Sequence, residues 1–163
     1  MLSEPFERLR TGASFTSHGR TVTESDVHAF ATQTGDLHPQ HVDADWAASS
    51  AFGERIAHGM LVLSYAVGLV GFDPERVMAL RRISDAVFKR PVKLGDTIHV
   101  EGAVAELTEV SDEAGLATIV FRIVNQDGRL VCRAKVEALW KRDAPLAPSR
   151  FATADTDFVP IPL

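Results

Sequence analysis

The apolar stretch from 56 to 70, IAHGMLVLSYAVGLV, constrains the fold more than any other part of the sequence. At helical spacing it is apolar almost all round, and the small residues Gly59, Ala66 and Gly68 allow neighbouring elements to approach closely. A helix without a polar face has to be covered on most of its sides. Since the run falls well below the roughly 20 apolar residues of a membrane-spanning helix, it predicts a core helix over Ile56–Val70 and no membrane partner.

Four segments with the character of β-strands follow this helix. They are rich in Val, Ile, Phe and Thr, which strands favour, and turn residues separate them. The segments are Ile83–Val92, Thr97–Leu107, Leu116–Asn125 and Leu130–Trp140. An antiparallel sheet curled round a nearly all-apolar helix buries both elements, so the sequence predicts an α+β domain.

A broken strand and a capped helix are predicted near the start of the chain. The strand spans about Ser14–Val22 and is expected to break at a His-Gly turn. Thr23 can accept a hydrogen bond from the first free N–H groups of a helix over Glu24–Thr34, which has apolar residues on one side. Gly35 is expected to end that helix.

The chain has to turn between this helix and the core helix. Pro39 lacks an N–H group and disfavours the helical conformation of the residue before it. After the turn, Asp43 can cap a short helix in which Trp46 and Ala47 face inward.

The length indicates a single domain. A chain of 163 residues can bury one sizeable core and is too short for two full domains. We expect the domain to cover 1–141 and a Pro-containing C-terminal tail to cover 142–163, where no periodic pattern is found. Such a tail could drape over a neighbouring subunit.

Charge and cysteine content narrow the functional classes. The formal net charge of -5, from 17 Lys+Arg against 22 Asp+Glu, provides no broad positive field for nucleic acid. The single Cys132 excludes an internal disulfide and fits a cytoplasmic location. The N-terminus has no apolar core, so we expect no signal peptide.

A cluster of polar residues, Asp36, His38, His41 and Asp43, surrounds Pro39. A carboxylate and an imidazole that converge on one water molecule can activate it and deliver a proton, provided that burial moves their pKa values toward neutrality. Asp36 and His41 are therefore the candidate catalytic pair. The spacing leaves a second interpretation open, in which Asp36 is a turn residue and His41 a cap.

A metal site is a further interpretation of this cluster. Asp36, His38, His41 and His58 are acceptable zinc ligands. They include no cysteine and no settled pair at i, i+4, so we expect neither a metal nor another cofactor.

The residues around the cluster resemble the signature of a known family. The shared segments are GDLHPQH at 35–41, VD at 42–43, AA at 47–48, FG at 52–53, IAHGML at 56–61, FKRP at 88–91 and VKLGD at 92–96. This pattern is similar to that of the MaoC-like dehydratases, the family of (R)-specific enoyl-CoA hydratases. The resemblance implies a hot-dog fold, in which an antiparallel sheet wraps a long central helix and two subunits usually join their sheets.

The resemblance also implies roles for three residues. Asp36 and His41 match the family's catalytic pair, which holds the water that adds across the C2=C3 bond of a trans-2-enoyl thioester. Gly59 matches the residue whose backbone N–H would bind the thioester oxygen, on which negative charge builds as water attacks C3. We assign Asp36 as the base toward water and His41 as the donor of the proton at C2; the sequence does not decide between this order and its reverse.

Two positions depart from the family pattern. His38 stands where Asn is common, so it is expected to orient the loop, alter the placement of water or make the site pH-sensitive. The position of a helix serine that helps some hydratases holds Val67, with Ser64 one turn earlier as a candidate support residue. His58 is expected to cap the helix or to bond to a nearby backbone carbonyl.

Lys89, Arg90 and Lys93 form a compact basic patch. These side chains could bind the phosphates of a coenzyme A or phosphopantetheine carrier. They could equally be the solvated face of a strand.

The leading hypothesis is a lyase, without metal or redox cofactor, that reversibly hydrates a trans-2-enoyl-CoA to a 3-hydroxyacyl-CoA, with (R) configuration implied by the resemblance. Three alternatives are a 3-hydroxyacyl-acyl-carrier-protein dehydratase, a non-catalytic acyl-thioester-binding hot-dog subunit and a hot-dog thioesterase. We expect an acyl thioester as the partner, and a homodimer or higher homo-oligomer as the assembly.

Overall fold

The computed structural model describes residues 2–144, in which one apolar helix lies against an antiparallel sheet. After a 3₁₀ helix at Phe6–Arg8, the elements are β1 (Ser14–Thr16), β2 (Arg20–Thr21), α1 (Glu24–Thr34), α2 (Pro39–Val42), α3 (Ala44–Ala48), α4 (Gly59–Leu69), β3 (Val77–Phe88), β4 (Thr97–Glu109), β5 (Ala114–Val124) and β6 (Leu130–Lys141). Within this part of the chain, every helix is too short or too polar to cross a membrane. The expected tail lies outside the described residues from 145 onward, so the tail stays a prediction.

Helix α1 has the bounds that its sequence predicts. Thr23 Oγ1 accepts a hydrogen bond from the Asp26 N–H at 3.2 Å, and Asp26 Oδ2 accepts one from the Thr23 N–H at 2.8 Å. Burial opposes ionisation of Asp26, but hydrogen bonds from Thr23, Tyr65 and Arg20 lower the pKa of this carboxyl to about 2. Gly35 ends the helix at φ 77°, a left-handed conformation that glycine adopts without strain. The chain therefore leaves α1 at a defined point directly before the polar cluster.

Helix α4 begins at Gly59 rather than at the predicted Ile56. Ile56 instead forms an antiparallel bridge with Lys93, and its carbonyl accepts a hydrogen bond from His41 Nδ1 rather than from the next turn of a helix. The Ile56 N–H donates to the Gln40 carbonyl at 3.2 Å, and the Ala57 N–H donates to the Val92 carbonyl at 2.8 Å. The preceding segment is thus held between the polar cluster and the chain entering β4.

Most of the α4 surface is buried, as predicted. The buried residues are Leu61, Val62, Leu63, Ala66 and Leu69. A narrow stripe, formed by Met60, Ser64 and Gly68, is exposed. The helix is therefore covered on most but not all of its sides.

The six-stranded sheet is antiparallel, in the order β1-β4-β5-β6-β3, and β2 pairs with the first residues of β4. The three central strands carry the core. Their fully buried apolar residues include Ile98, Val100, Ile119, Phe121, Ile123, Val136 and Trp140. Helix α4 contacts β4, so the predicted combination of one apolar helix and an antiparallel sheet is present.

Strand β3 covers Val77–Phe88, so the predicted range Ile83–Val92 is wrong at both ends. Among the described strands β3 pairs only with β6, and its pairing shifts register at three places. Asp85 lies at the third of these places, between Ser84 and Val87, and has a φ of 51°. An irregular edge strand lacks the alternation that marks a half-buried strand. The strand ends where the Lys89 N–H turns to donate to the Val131 carbonyl at 2.8 Å.

The prediction that Trp46 faces inward is wrong. Trp46 is 43% exposed, whereas its neighbour Ala47 is fully buried. Asp43 caps α3 as predicted, by accepting a hydrogen bond from the Trp46 N–H at 2.9 Å. Successive helical residues point about 100° apart, and the Trp46 ring packs against His38, with ring centroids 5.4 Å apart, while Ala47 takes the core side.

Candidate active site

Two segments meet at the polar cluster, and we call residues 36–42 the first site segment and residues 56–60 the second site segment. Each segment carries a buried histidine that bonds to a backbone carbonyl of the other. His41 Nδ1 lies 2.7 Å from the Ile56 oxygen, and His58 Nε2 lies 2.9 Å from the Asp36 oxygen. A carbonyl only accepts hydrogen bonds, so both of these ring nitrogens carry a proton. The two reciprocal bonds tie the segments together.

The first site segment includes α2, a short helix that the sequence did not predict. Pro39 occupies its first position, where the missing N–H costs no hydrogen bond. His38 is the N-cap, and its Nδ1 accepts a hydrogen bond from the Gln40 N–H at 3.2 Å. In an asparagine side chain the corresponding position holds Oδ1, which is also an acceptor. Capping therefore explains how a histidine can fill a position where the family pattern described above has Asn.

His41 lies on α2 with only 5% of its surface exposed. Burial lowers the pKa of its imidazole; the hydrogen bond to Ile56 and the Asp36 charge oppose this effect, while His58 and His38 add to it. With Nδ1 protonated, the neutral ring keeps its lone pair on Nε2. That nitrogen lies 3.0 Å from the side-chain nitrogen of Gln40.

His58, just before α4, is 2% exposed and stacks on His41, with ring centroids 3.7 Å apart and planes inclined by 25°. Phe30 packs on His58 at 5.0 Å between centroids. Nδ1 of His58 is buried and has no hydrogen-bond partner among the described residues. The expected bond to a backbone carbonyl is present, whereas a side-chain cap on α4 is not.

Asp36, His41 and His58 converge. A carboxylate oxygen of Asp36 and one ring nitrogen from each histidine all lie within 4.8 Å of one another. Hydrogen bonds to water span about 2.7–3.0 Å, so one water molecule can contact Asp36 and His41 together. The same three atoms could also approach a metal ion, so their convergence fits both the water and the metal interpretation of the cluster.

These residues form the polar end of a cavity of about 440 Å³. The side chains of its polar end are Asp36, Gln40, His41 and His58. Its apolar wall includes Phe52, Met60, Val62, Phe88, Val131 and Cys132. Burial raises the pKa of the Cys132 thiol to about 11, so this sulfur behaves as part of the apolar wall. A cavity with one polar end and an apolar wall suits a substrate that has a reactive head and an acyl chain.

Gly59 lies in the cavity lining at the first position of α4. Its backbone N–H has no acceptor within the helix, and the His58 side chain does not cap it. A Cβ atom at this position would come within 2.8 Å of the Phe88 ring, which is half-exposed. A glycine therefore lets the Phe88 ring close over the helix N-terminus.

The predicted basic patch divides in the structure. Lys89 and Arg90 line the cavity and are exposed, and Arg90 also donates a hydrogen bond to the Leu130 carbonyl at 2.8 Å. Lys93 is outside the cavity lining and forms an ion pair with Glu54. Two of the three candidate phosphate-binding residues are thus at the cavity.

Ser64 is not brought to this cavity. Its hydroxyl donates to the Met60 carbonyl at 2.8 Å, and its side chain lies on the exposed stripe of α4. It lines a separate cavity with Arg20 and Tyr65. Support of the polar cluster by Ser64 stays a prediction without a contact in its favour.

Sequence reasoning missed Gln40 and Phe88 as residues of the site. Both line the cavity, and both flank residues that the sequence singled out. For Gln40 a signal existed, since it directly precedes His41. For Phe88 the signal was its place before Lys89 in the FKRP segment, but only the packing of its ring against Gly59 shows that it belongs to the site.

Comparison with known proteins gives a consistent result. Residues 9–125 match the model of the MaoC like domain. The chain is 42% identical over 96 residues to protein MaoC of Klebsiella aerogenes, which covers 58% of this chain and only 29% of that protein. It is 37% identical over 102 residues to an (R)-specific enoyl-CoA hydratase of Rhodospirillum rubrum, covering 63% of this chain and 70% of the relative.

Solved structures confirm the predicted fold. An R-hydratase from Pseudomonas aeruginosa superposes with a TM-score of 0.70 at 31% identity, covering 91% of this chain and 96% of that one. A Mycobacterium tuberculosis protein described as having a double hot-dog fold superposes with a TM-score of 0.77 at 22% identity, covering 91% of this chain and 47% of that one. The chain therefore has the α+β hot-dog fold.

Proposed function

The chain belongs to the MaoC-like family, and on that premise we propose that it reversibly hydrates trans-2-enoyl-CoA thioesters to (R)-3-hydroxyacyl-CoA thioesters. The observation that carries the proposal is the convergence of Asp36 and His41, within 4.8 Å, at the polar end of a cavity that also contains the N-terminus of α4. Water, a base and a hydrogen-bond donor for the thioester oxygen are the three components that this reaction requires.

In the proposed reaction the proton that leaves water is the one that is later added to C2, and both additions occur on the same face of the substrate. His41 Nε2 takes a proton from water while the hydroxide oxygen forms a bond to C3. The C2=C3 electrons move toward the thioester carbonyl, whose oxygen receives a hydrogen bond from the Gly59 N–H. The imidazolium then returns the proton to C2, which regenerates the carbonyl and a neutral ring. Dehydration is the reverse of these steps.

This order gives both proton transfers to His41, whereas the sequence analysis assigned Asp36 as the base toward water and His41 only as the donor at C2. The bond from Nδ1 of His41 to Ile56 and the lowered pKa of the ring both support a neutral imidazole whose Nε2 accepts a proton. Asp36 is exposed, and its Oδ1 accepts a hydrogen bond from the His38 N–H at 3.4 Å. In the proposal Asp36 orients the water and stabilises the transient imidazolium.

Lys89 and Arg90 are proposed to bind phosphate groups of the carrier at the cavity. Their charges and exposure support this role, and the Glu54 ion pair leaves Lys93 in a secondary position. Free coenzyme A and the phosphopantetheine of a carrier protein share these phosphates. A carrier-protein dehydratase is therefore the alternative, and rates with crotonyl-CoA and with crotonyl-carrier protein distinguish the two.

We further propose a homodimer or higher homo-oligomer in the cytoplasm. The support for assembly is the edge strand β3, where apolar side chains are about half-exposed, at Met78, Leu80 and Ile83. The buried, unpaired Cys132 supports a reducing location. Light scattering after size-exclusion chromatography measures the assembly, and a monomer would overturn this part of the proposal.

Crotonyl-CoA hydration, followed as loss of conjugated-enoyl absorbance, tests the function. His41→Ala and Asp36→Asn should each lower kcat by about 100-fold or more, since each removes a group that handles the reacting water. His28→Ala, on the exposed face of α1, is the control and should leave the rate unchanged.

Three outcomes would overturn the proposal. Thioester binding without turnover in the wild-type protein would indicate a non-catalytic binding subunit. Release of free thiol, measured with a colorimetric reagent, would indicate a thioesterase. Full activity of both site variants would show that the chemistry lies elsewhere.

A further inference from the structure

We propose that Gln40 is a positioning residue that holds the ring of His41 in its neutral, proton-accepting form. The catalytic part of this inference rests on the proposed function, whereas the contact itself does not. Gln40 lines the cavity at its polar end, and its side-chain nitrogen lies 3.0 Å from His41 Nε2.

The backbone of Gln40 is held at both of its polar groups. Its N–H donates to His38 Nδ1 at 3.2 Å, and its carbonyl accepts from the Ile56 N–H at 3.2 Å. The side chain thus starts from a fixed point in the first site segment. Ile56 contributes twice, since its carbonyl also accepts a hydrogen bond from His41 Nδ1. The contact with His41 therefore extends from an anchored backbone, while the amide itself can still rotate.

Hydrogen-bond chemistry determines which protonation state this arrangement favours. The Ile56 carbonyl requires a proton on Nδ1 of His41, so Nε2 of the neutral ring carries the lone pair. The Gln40 NH₂ group donates to that lone pair. A doubly protonated ring would place an N–H opposite another N–H donor. Gln40 therefore stabilises the neutral form of His41, and its amide has to leave this lone pair before Nε2 can take a proton from water.

A glutamine can also accommodate the ring after it has taken up a proton. Rotation of the amide by half a turn would present its carbonyl oxygen, which accepts a hydrogen bond from a protonated Nε2. Glutamate lacks the donor and can pair only with the protonated ring. Methionine is similar in length and offers no comparable hydrogen bond. These three side chains differ mainly in which state of His41 they favour.

Other ionisable groups face the same ring and also influence its protonation. The Asp36 charge favours the imidazolium, and His58 and His38 disfavour it when protonated. The cavity wall adds three further groups, namely Lys89, Arg90 and Cys132. Burial lowers the pKa of His41 independently of Gln40. Because a substitution at Gln40 changes none of these groups, variants at that position isolate the amide.

The test compares wild type with Gln40→Met and Gln40→Glu. The pKa of His41 is measured by NMR titration of its ring signals, which are assigned by their loss in His41→Asn. We expect the pKa to rise in Gln40→Met and to rise by about 1 unit or more in Gln40→Glu, where a carboxylate faces the ring. Gln33→Glu adds the same charge on the exposed surface of α1 and should leave the His41 titration unchanged.

The pH profile of kcat/KM for crotonyl-CoA gives the catalytic readout. The acidic limb of this profile should move to higher pH, and the order of the variants should be the same as for the His41 pKa values measured by NMR. Gln40→Glu should be about two- to threefold slower near pH 7 for a shift of about 1 unit, and should recover at higher pH. A residue with a merely structural role would lower the rate without moving the limb.

The outcomes separate this inference from the proposed function. Coincident His41 titrations in wild type and both Gln40 variants would overturn the inference, even if the wild type hydrates crotonyl-CoA. Shifted titrations in a protein without hydratase activity would support the contact and overturn the proposed function. Shifted titrations with an unmoved acidic limb would overturn the catalytic part of the inference.

Discussion

The first and second site segments each contribute one buried histidine, and comparison of the two shows what gives a histidine its role. Both rings donate a hydrogen bond to a backbone carbonyl of the opposite segment, and they stack on each other at 3.7 Å. They differ at the second nitrogen. In His41 that nitrogen meets Gln40 at the cavity, whereas in His58 it is enclosed without a partner among the described residues.

The difference teaches that burial and residue type alone do not identify which histidine transfers the proton. The carbonyl bond selects the tautomer of each ring, and the tautomer decides which nitrogen keeps the lone pair. Only the lone pair of His41 can meet a reacting water beside Asp36. His58 instead holds the Asp36 backbone and supports one face of the His41 ring. We therefore expect His58 to act through the position of other groups.

The largest expected effect concerns His58. His58→Phe keeps a ring against His41 but leaves the Asp36 carbonyl without its donor, which should cost about 1–3 kcal/mol of unfolding free energy. A shift of the first site segment should lower kcat by up to about 100-fold, because small misplacements of reacting groups are costly. His58→Gln retains a donor at similar reach and should keep more activity than His58→Phe. Equal or higher activity in His58→Phe would break the comparison.

A smaller effect is expected at His38, which caps the first site segment. His38→Asn preserves an acceptor for the Gln40 N–H, so stability and activity should stay close to wild type. His38→Ala removes the acceptor and should lower the unfolding free energy by about 1 kcal/mol, measured by urea denaturation.

The same pair tests pH sensitivity. His38→Asn and His38→Ala differ in whether an acceptor for the Gln40 N–H is present, so an acid-induced loss of activity in His38→Ala that is absent in His38→Asn would be assigned to the cap. If Ala and Asn at this position behave alike, the capping role of His38 is wrong.

The smallest expected effect is the pH dependence of stability that His41 contributes. Its folded pKa lies below the unfolded value of about 6.5, so the unfolded chain binds more protons as the solution becomes acidic. The contribution is fully present above about pH 6.5 and is lost as pH falls through the folded pKa. Urea denaturation between pH 8 and pH 5 measures it. His41→Asn should flatten this dependence, and an unchanged slope would contradict the lowered pKa.

Much of the local structure could be predicted because neighbouring residues decide it. Thr23 and Asp43 cap helices with their own side chains, and Gly35 takes a left-handed φ that ends α1. The long central strands β4 to β6 could be predicted from their β-branched and aromatic residues. The turn at Pro39 is also a local feature, and it allowed Asp36 and His41 to be placed close together.

Other features depended on distant partners and could not be predicted. Ile56 looks helical in sequence, yet its N–H pairs with Gln40 and its carbonyl with His41, so α4 starts later. The edge strand β3 takes its bounds from pairing with β6 rather than from a pattern of its own. Trp46 lies against the His38 ring, a residue of the first site segment, and leaves the core side of α3 to Ala47.

The sequence alone determined the family, the apolar helix with its antiparallel sheet, and the polar residues from which a site could be built. These follow from periodicity, capping and a set of residue types at fixed spacing, all of which are local properties of the chain. Tertiary structure decided the tautomers of the two histidines, the contact between Gln40 and His41, and which cations lie at the cavity. Each of these depends on which backbone group faces a side chain across the two site segments, and that is set only when the chain packs.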